Sequence, residues 1–173
     1  MGNDSLSGNT PVTKGQLGWV IVSEIMVLLT AALQFLNMLT VHIWKSTETG
    51  SFIFVLQNLV NDVEEVAERH SQLFKMIGAL MLLGIALLVF SALQMNLPLL
   101  RGTAYKSYNL QWPIYSVLYM MLGQAATLAI LLYRKATIEL HFGFWCCAVC
   151  ELLALGLLLA ALAKNAIVPA KKK

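Results

Sequence analysis

The amino-acid sequence predicts an all-α fold: an integral membrane bundle of four transmembrane helices, with an amphipathic helical extension before the second span. Three observations support this prediction. Hydrophobic residues make up 58% of the 173-residue chain and charged residues only 12%, whereas an average soluble domain carries about 25% charged residues. Four segments are long and apolar enough to cross a hydrocarbon layer about 30 Å thick, which requires about 20 helical residues. No Lys or Arg lies inside any of these segments.

The four predicted spans run approximately over Gly18 to Ile43, Met76 to Leu97, Pro113 to Tyr133 and Phe142 to Ala163. Residues 1–17 are polar and are expected to form a flexible tail, so that residues 18–173 make a single transmembrane domain. The first apolar run is far longer than the roughly 7 to 15 residues of a signal-peptide core, and we expect it to remain as a helix. Pro98 marks the end of the second span, and Pro113 opens the third, because proline is tolerated in the first turn of a helix.

Residues 52–75, ahead of the second span, are predicted to form an amphipathic helix. Their apolar positions recur at alternating intervals of three and four, the spacing of a helix-packing seam. The seam consists of Leu56, Leu59, Val63, Val66 and His70, followed by Leu73 and Ile77. The opposite face is mainly acidic, whereas a helix lying on a membrane normally presents Lys and Arg to lipid headgroups. We therefore expect this helix to contact protein, in the same chain or another, and to lead without a break into the second span.

Positive charges beside the spans predict the orientation. Of the twelve Lys and Arg residues, seven fall on the side of the two termini and five on the other side. Positive residues are retained in the cytosol, so both termini are expected on the cytosol-equivalent side. The sequence does not specify which membrane holds the protein.

Two glutamates, Glu24 and Glu151, lie inside predicted spans that contain no cation. A charged side chain at mid-bilayer costs at least about 2.5 kcal/mol on insertion scales, and a carboxyl group deprived of water tends to be protonated. At 1.5 Å per residue, Glu24 lies about 9 Å and Glu151 about 14 Å from its helix entry, so each is expected to need its own partner. We favour a protonated carboxyl bonded to a polar group on a facing helix. A cation from a partner subunit and a proton or ion path are the alternatives.

Other polar or small residues recur at helical spacing on each span. They are Thr30, Gln34 and Asn37 on the first, Gly84 and Ser91 on the second, Ser116, Gly123 and Thr127 on the third, and Gly156 and Ala160 on the fourth. Such stripes let membrane helices approach closely and form hydrogen bonds. We therefore expect them to face the bundle interior, with Gln34 and Asn37 joining the two glutamates as intramembrane polar or partner-binding residues.

Cysteines and histidines give weaker signals. Cys146, Cys147 and Cys150 lack the spacing of a structural zinc site, and we expect them to be buried as small apolar residues. His42 and His141 fall at one membrane face and allow a bis-histidine haem site to be drawn. Membrane haem sites, however, place their axial histidines inside the bundle. No phosphate-binding loop, nucleophile elbow or paired-carboxylate site is present, so we expect neither catalytic residues, nor a metal site, nor a cofactor other than this haem alternative.

The plan of four spans with a larger first outer loop and cytosolic ends resembles that of claudin-like and MARVEL tetraspan proteins. The resemblance is topological. Claudins carry a Trp and two cysteines in that loop; here Trp44 is present, but residues 45–75 contain no cysteine. A glutamate in the last of four helices is also similar to rotary-ATPase proteolipids, whose inner helices are lined by glycine, whereas the first span here is bulky. These departures assign the chain to no family.

The absence of a catalytic motif and the unpaired glutamates favour a non-catalytic membrane subunit or scaffold. Its expected partners are the lipid bilayer and other membrane-protein subunits or further copies of itself, with no nucleic acid. A small proton or cation channel or transporter that uses Glu151 is the alternative. A haem-binding electron-transfer protein that uses His42 and His141 is the third.

Overall fold

The computed structural model describes residues 14–43, 46–62, 68–100 and 107–167. Within these residues the chain is mostly helical, with five helices and three short strands. In chain order they are α1 (Lys14–Leu33), β1 (Leu39–Ile43), β2 (Ser46–Gly50), α2 (Phe52–Asp62), α3 (Glu68–Leu100), α4 (Ser107–Tyr133), β3 (Thr137–Leu140) and α5 (Phe142–Ile167).

Three of these helices are long and apolar enough to cross a membrane. The qualifying segments are Gln72–Leu97 in α3, Leu110–Tyr133 in α4 and Phe142–Ala163 in α5, and α1 adds a shorter apolar segment, Gly18–Leu33. By composition the chain is therefore a multi-pass membrane protein. The predicted second, third and fourth spans fall within these segments, because hydropathy alone identifies long apolar helices.

The prediction of an all-α fold is wrong in one respect, because the described residues also contain a three-stranded sheet of order β2-β1-β3. The predicted first span, residues 18–43, is helical only as far as Leu33, and its last five residues form strand β1. That strand, LTVHI, is rich in β-branched side chains, which favour the extended backbone. Hydropathy cannot separate such a buried strand from a helix.

Strand β1 is central and pairs antiparallel with both neighbours, so that Leu39 lies opposite Gly50 on one side and Leu140 on the other. The pairing extends through Met38, whose N–H donates to the Gly50 carbonyl and whose carbonyl accepts from the His141 N–H. The sheet thereby joins the connection after α1 to the connection before α5.

The helices pack around one apolar core. Helix α1 packs against α3 and α5, and α4 packs against α3 and α5. Helices α3 and α4 approach closely at Gly84, where an added Cβ would collide with the Met120 and Tyr119 side chains. Helix α4 begins six residues before Pro113, which therefore lies inside the helix instead of opening it. Helix α3 likewise continues past Pro98 to Leu100.

Helix α2 lies beside α3, which differs from the prediction of one unbroken helix running into the second span. Leu56 and Val60 of α2 line the same groove as Phe74 and Leu82 of α3, which two ends of a straight helix could not do. The seam periodicity predicts an apolar face but does not specify what covers it, and here α3 of the same chain does. Of the predicted seam residues, Leu56 and Leu59 are buried. Val63, Val66 and the side chain of His70 lie outside the described part of the structure.

Candidate functional site: a buried polar cluster

Four polar side chains from three parts of the chain meet in the interior. They are Gln34, Gln124, Cys147 and Glu151, hereafter the polar cluster. Gln34 directly follows the last residue of α1, Gln124 lies on α4, and Cys147 and Glu151 lie one turn apart on α5. All four are buried, and Glu151 exposes only 2% of its surface.

Local helix geometry explains this convergence. Residues four apart share one helix face, so Cys147 and Glu151 point from α5 to the same place. On α4 the buried positions include Ser116, Met120, Gln124 and Thr127, whose spacing of four, four and three forms one face. The packing of α5 against both α1 and α4 then brings the glutamine side chains to the glutamate.

One carboxyl oxygen organises the cluster. Glu151 Oε1 accepts hydrogen bonds from Gln124 Nε2 at 2.7 Å and from Gln34 Nε2 at 3.1 Å. The two glutamines are also joined to each other, because Gln124 Nε2 donates to Gln34 Oε1 at 3.2 Å. The Cys147 Sγ lies 3.1 Å from Gln34 Nε2 and 3.6 Å from Glu151 Oε1. Gln34 and Gln124 thus bridge α5 to α1 and to α4.

These contacts supply what a buried carboxyl needs. Burying a polar group is costly unless it is hydrogen-bonded, and here two amide groups on other elements provide the bonds. No Lys or Arg takes part in them. The other carboxyl oxygen, Oε2, has no hydrogen-bond partner among the residues that the structure describes. The cluster can therefore hold helices together or hold one proton or cation.

Glu24, the second predicted intramembrane glutamate, is placed separately. It is half-buried on α1 and accepts a hydrogen bond from the amide of Asn96 on α3. Each glutamate therefore has its own amide partner, as expected from their different depths. Asn37, in contrast, is exposed after the end of α1 and does not join the cluster. Its backbone carbonyl lies so close to Gly143 that a Cβ there would collide with it.

The buried hydroxyl groups mostly bond to their own helices. Thr30 donates to the Met26 carbonyl at 2.9 Å and Thr127 to the Gly123 carbonyl at 2.8 Å. Among the buried hydroxyls of the described helices, Ser116 also reaches another helix, with its Oγ 3.3 Å from the Leu87 carbonyl of α3. Within the described residues, these hydroxyls form no continuous polar chain from the cluster to either end of the helices.

Gly156 of α5 does not face the bundle interior, contrary to the prediction. It is exposed, while Ala160 is half-buried, and an added Cβ at Gly156 would meet no atom within 4 Å. They share the outward face with larger apolar side chains, which are Val149, Leu152, Leu153 and Leu159. This face of α5 has no covering element within the described part of the chain.

The two candidate haem ligands lie at opposite ends of β1. His42 pairs with Thr137, and His141 follows the Leu140 that pairs with Leu39. Four residues of strand separate their levels, about 13 Å at 3.3 Å per residue, whereas two axial nitrogens on one iron lie about 4 Å apart. The two imidazoles also bond to different threonines, His42 to Thr47 at 2.9 Å and His141 to Thr40 at 2.7 Å. The structure does not bring them together as ligands of one iron.

No metal site appears elsewhere among residues 14–43, 46–62, 68–100 and 107–167, since no three His, Cys, Asp or Glu side chains are placed to share an ion. Of the three cysteines, Cys147 is buried as predicted, while Cys146 and Cys150 are only partly so.

Gln124 and Asn96, which donate hydrogen bonds to the two glutamates, were not predicted as site residues. An uncharged amide inside an apolar run carries no charge that requires a partner, so it stands out less than a glutamate does. The signal was present, because Gln124 lies eight residues after Ser116 and three before Thr127, on the face that the stripe had already marked.

Comparison of the chain with protein-family models, curated proteins and solved structures finds no match in any of the three. Function must therefore be argued from the geometry alone.

Proposed function

We propose that this protein is a non-catalytic membrane subunit that packs against a transmembrane helix of another subunit or copy. In this proposal α1 spans the membrane together with α3, α4 and α5, which makes a four-helix transmembrane bundle. The observation that carries the proposal is the outward face of α5. There, exposed Gly156 and half-buried Ala160 lie among exposed leucines and a valine, and a Cβ added at Gly156 would meet nothing within 4 Å, which leaves a gap on this face.

The apolar part of α1 supports its role as a span. Its segment Gly18–Leu33 measures about 24 Å at 1.5 Å per residue, somewhat less than a hydrocarbon layer of about 30 Å, and the residues of α1 before Gly18 bring the whole helix to about 30 Å. Trp19 near its start and Phe35 just after its end are both exposed, at the two levels where aromatic residues collect in membrane proteins. Tyr133 and Phe142, at the ends of α4 and α5 nearest to Phe35 in the fold, are more than four-fifths exposed.

The outer face of α5 has the composition of a membrane-helix interface. Lipid and leucine are equally apolar, so association depends on close packing, which small residues four positions apart permit. The space beside Gly156 is open in the isolated chain. A facing helix that enters this space would contact the backbone at Gly156. Lipid tails would fill the same space less completely.

The polar cluster supports a packing role for Glu151. The carboxyl binds two glutamines of its own chain. It therefore stabilises the bundle itself and does not contact the partner. A partner cation is not needed to explain its burial.

Substitution at Gly156 tests the proposal. We expect Gly156→Leu to fill the gap and shift the protein, extracted in mild detergent, from an assembly to the single chain in native mass spectrometry. Ala86→Leu is the matched control, because Ala86 is an exposed small residue on a different helix, α3. A wild-type protein that is already a lone chain would contradict the proposal, as would equal loss of assembly in both variants.

A second candidate function is a proton or cation path through Glu151. The observation that favours it is the second carboxyl oxygen, which has no partner among the described residues. On this reading Glu151→Gln abolishes flux across vesicles reconstituted with the protein while leaving assembly normal. Unchanged flux, or none in the wild type, removes this candidate.

A further inference from the structure

A groove between α2 and α3 lies apart from the polar cluster. Its volume is about 390 Å³, within the range of about 300 to 1,000 Å³ typical of small-molecule sites. The buried side chains of Leu56, Val60 and Phe74 form its apolar floor, and Leu82 lies at one end.

We propose that this groove binds an acidic phospholipid, with an acyl chain along the apolar floor and the headgroup phosphate at Lys75. The proposal is independent of the α5 interface, since it concerns a different face of the molecule.

The position of the groove relative to the membrane selects a lipid. Its α3 wall runs from Phe74 to Leu82, about 12 Å of helix, and all of it lies inside the apolar segment Gln72–Leu97. Lys75 is only three residues from the start of that segment, about 5 Å along the helix axis. A molecule in the groove therefore has its apolar part at the depth of the hydrocarbon and its polar end at the interface.

Charge complementarity selects the headgroup. Lys75 is exposed at the rim and forms no ion pair with any residue that the structure describes. A long Lys side chain near a helix end extends its ammonium towards the interface, where phosphate groups lie. Gln57, exposed on the α2 side of the same groove, offers an amide that can donate to a phosphate or ester oxygen.

Gly78 provides the space for the chain. It lies one turn after Lys75 on the same helix face, and an added Cβ would meet no atom within 4 Å. An acyl chain is an apolar, flexible group that can occupy such an open, elongated space.

The test uses full-length protein in phosphatidylcholine nanodiscs that contain a small share of phosphatidylglycerol with a photoactivatable acyl chain. We expect labelled peptides from residues 53–60 and 74–82. Gly78→Leu places a side chain into the groove, where its Cβ meets no atom within 4 Å, and should abolish most of this labelling. Lys75→Gln should lower it roughly fivefold, the equivalent of about 1 kcal/mol per Lys at an acidic surface, while Lys75→Arg should retain it.

The control is Ala129→Leu, a small-to-large change at an exposed position of α4 outside the groove, which should leave labelling unchanged. Labelling spread evenly over all exposed helices, or unaffected by Gly78→Leu, would overturn the site. Equal labelling by a phosphatidylcholine probe would overturn the assignment of an acidic headgroup. Cross-linking of a photoreactive residue at position 78 to another protein chain, without lipid, would show that a partner occupies the groove instead.

Discussion

At Glu151 two glutamine amides take the place of a counter-ion. A buried ion pair must repay the desolvation of two charges, whereas an amide brings no charge of its own into the bilayer. The Nε2 atoms of Gln34 and Gln124 both donate to the same oxygen, so the carboxyl is the acceptor that satisfies both amides. Removal of the Glu151 carboxyl would therefore be costly because the two glutamine amides would lose this acceptor.

Substitutions at Glu151 should show whether the carboxyl matters as a hydrogen-bond acceptor or as a negative charge. Glu151→Gln keeps an oxygen where Oε1 lies, so both amides remain bonded and stability should stay near that of the wild type. Glu151→Leu leaves the amides without this acceptor and should lower the free energy of unfolding by about 0.6 to 2 kcal/mol, the range of interhelical polar contacts. Equilibrium unfolding in mixed micelles measures both values.

A double-mutant cycle provides the control. Replacing both partners of a buried hydrogen bond by apolar groups costs less than orphaning one of them. Gln124→Leu combined with Glu151→Leu should therefore be less destabilising than the sum of the two single changes. If Glu151→Gln proved as damaging as Glu151→Leu, the carboxyl would be an ionised group and the acceptor argument would fail.

At the scale of the element, β1 connects parts of the chain that hydropathy treats as unrelated. It pairs with β2 and β3, and Thr40 adds side-chain bonds to Thr49 at 2.8 Å and to His141 at 2.7 Å. Through β3 and His141 the strand fixes the start of α5. The position of Glu151 opposite Gln34 thus depends on a sheet of only three strands.

The contact between Gly143 and the Asn37 carbonyl tests this dependence. Gly143→Ala would place a Cβ against backbone, which cannot rotate away as a side chain can. We expect a loss of about 1 to 3 kcal/mol, the usual cost of overpacking, measured as a lower free energy of unfolding. Gly156→Ala is the matched control on the same helix, where the added methyl meets open space. Equal stability of both variants would contradict the proposed close contact.

Sequence reasoning succeeded where one property decides the structure. Long apolar runs correctly indicated three long apolar helices, although the last helix continues past the predicted end at Ala163 to Ile167. It failed at Leu39–Ile43, because an apolar pentapeptide is compatible with a helix and with a buried strand, and its pairing with Ser46–Gly50 and with Thr137–Leu140, about 100 residues away, decides between them. Glu151 was found because a charge in an apolar run is conspicuous. Gln124 was missed because its importance arises from a contact between two helices.

At the scale of the whole molecule, the sheet and α2 lie together at one end of the long helices. Helix α3 has 33 residues and measures about 50 Å, well beyond a hydrocarbon layer of about 30 Å. The sheet lies at the end where α1 and α4 finish and α5 begins, and α2 packs against it. At the opposite end α1 begins and α5 finishes.

The predicted orientation depends on a small excess of positive charge at the terminal side, and substitutions can reverse that excess. With seven Lys and Arg residues at the terminal side and five at the sheet side, we expect the termini in the cytosol. In sealed vesicles of the native membrane that keep the cytosol-equivalent side inside, a protease added outside should then leave the tail Lys171 to Lys173 uncut, and should remove it only after permeabilisation. Changing these three lysines to glutamine leaves four positive residues against five, and an epitope placed after them should become accessible from outside in a substantial part of the population. Cleavage of the wild-type tail in these intact vesicles would reverse the assignment and place the sheet, α2 and the groove at Lys75 on the cytosolic face.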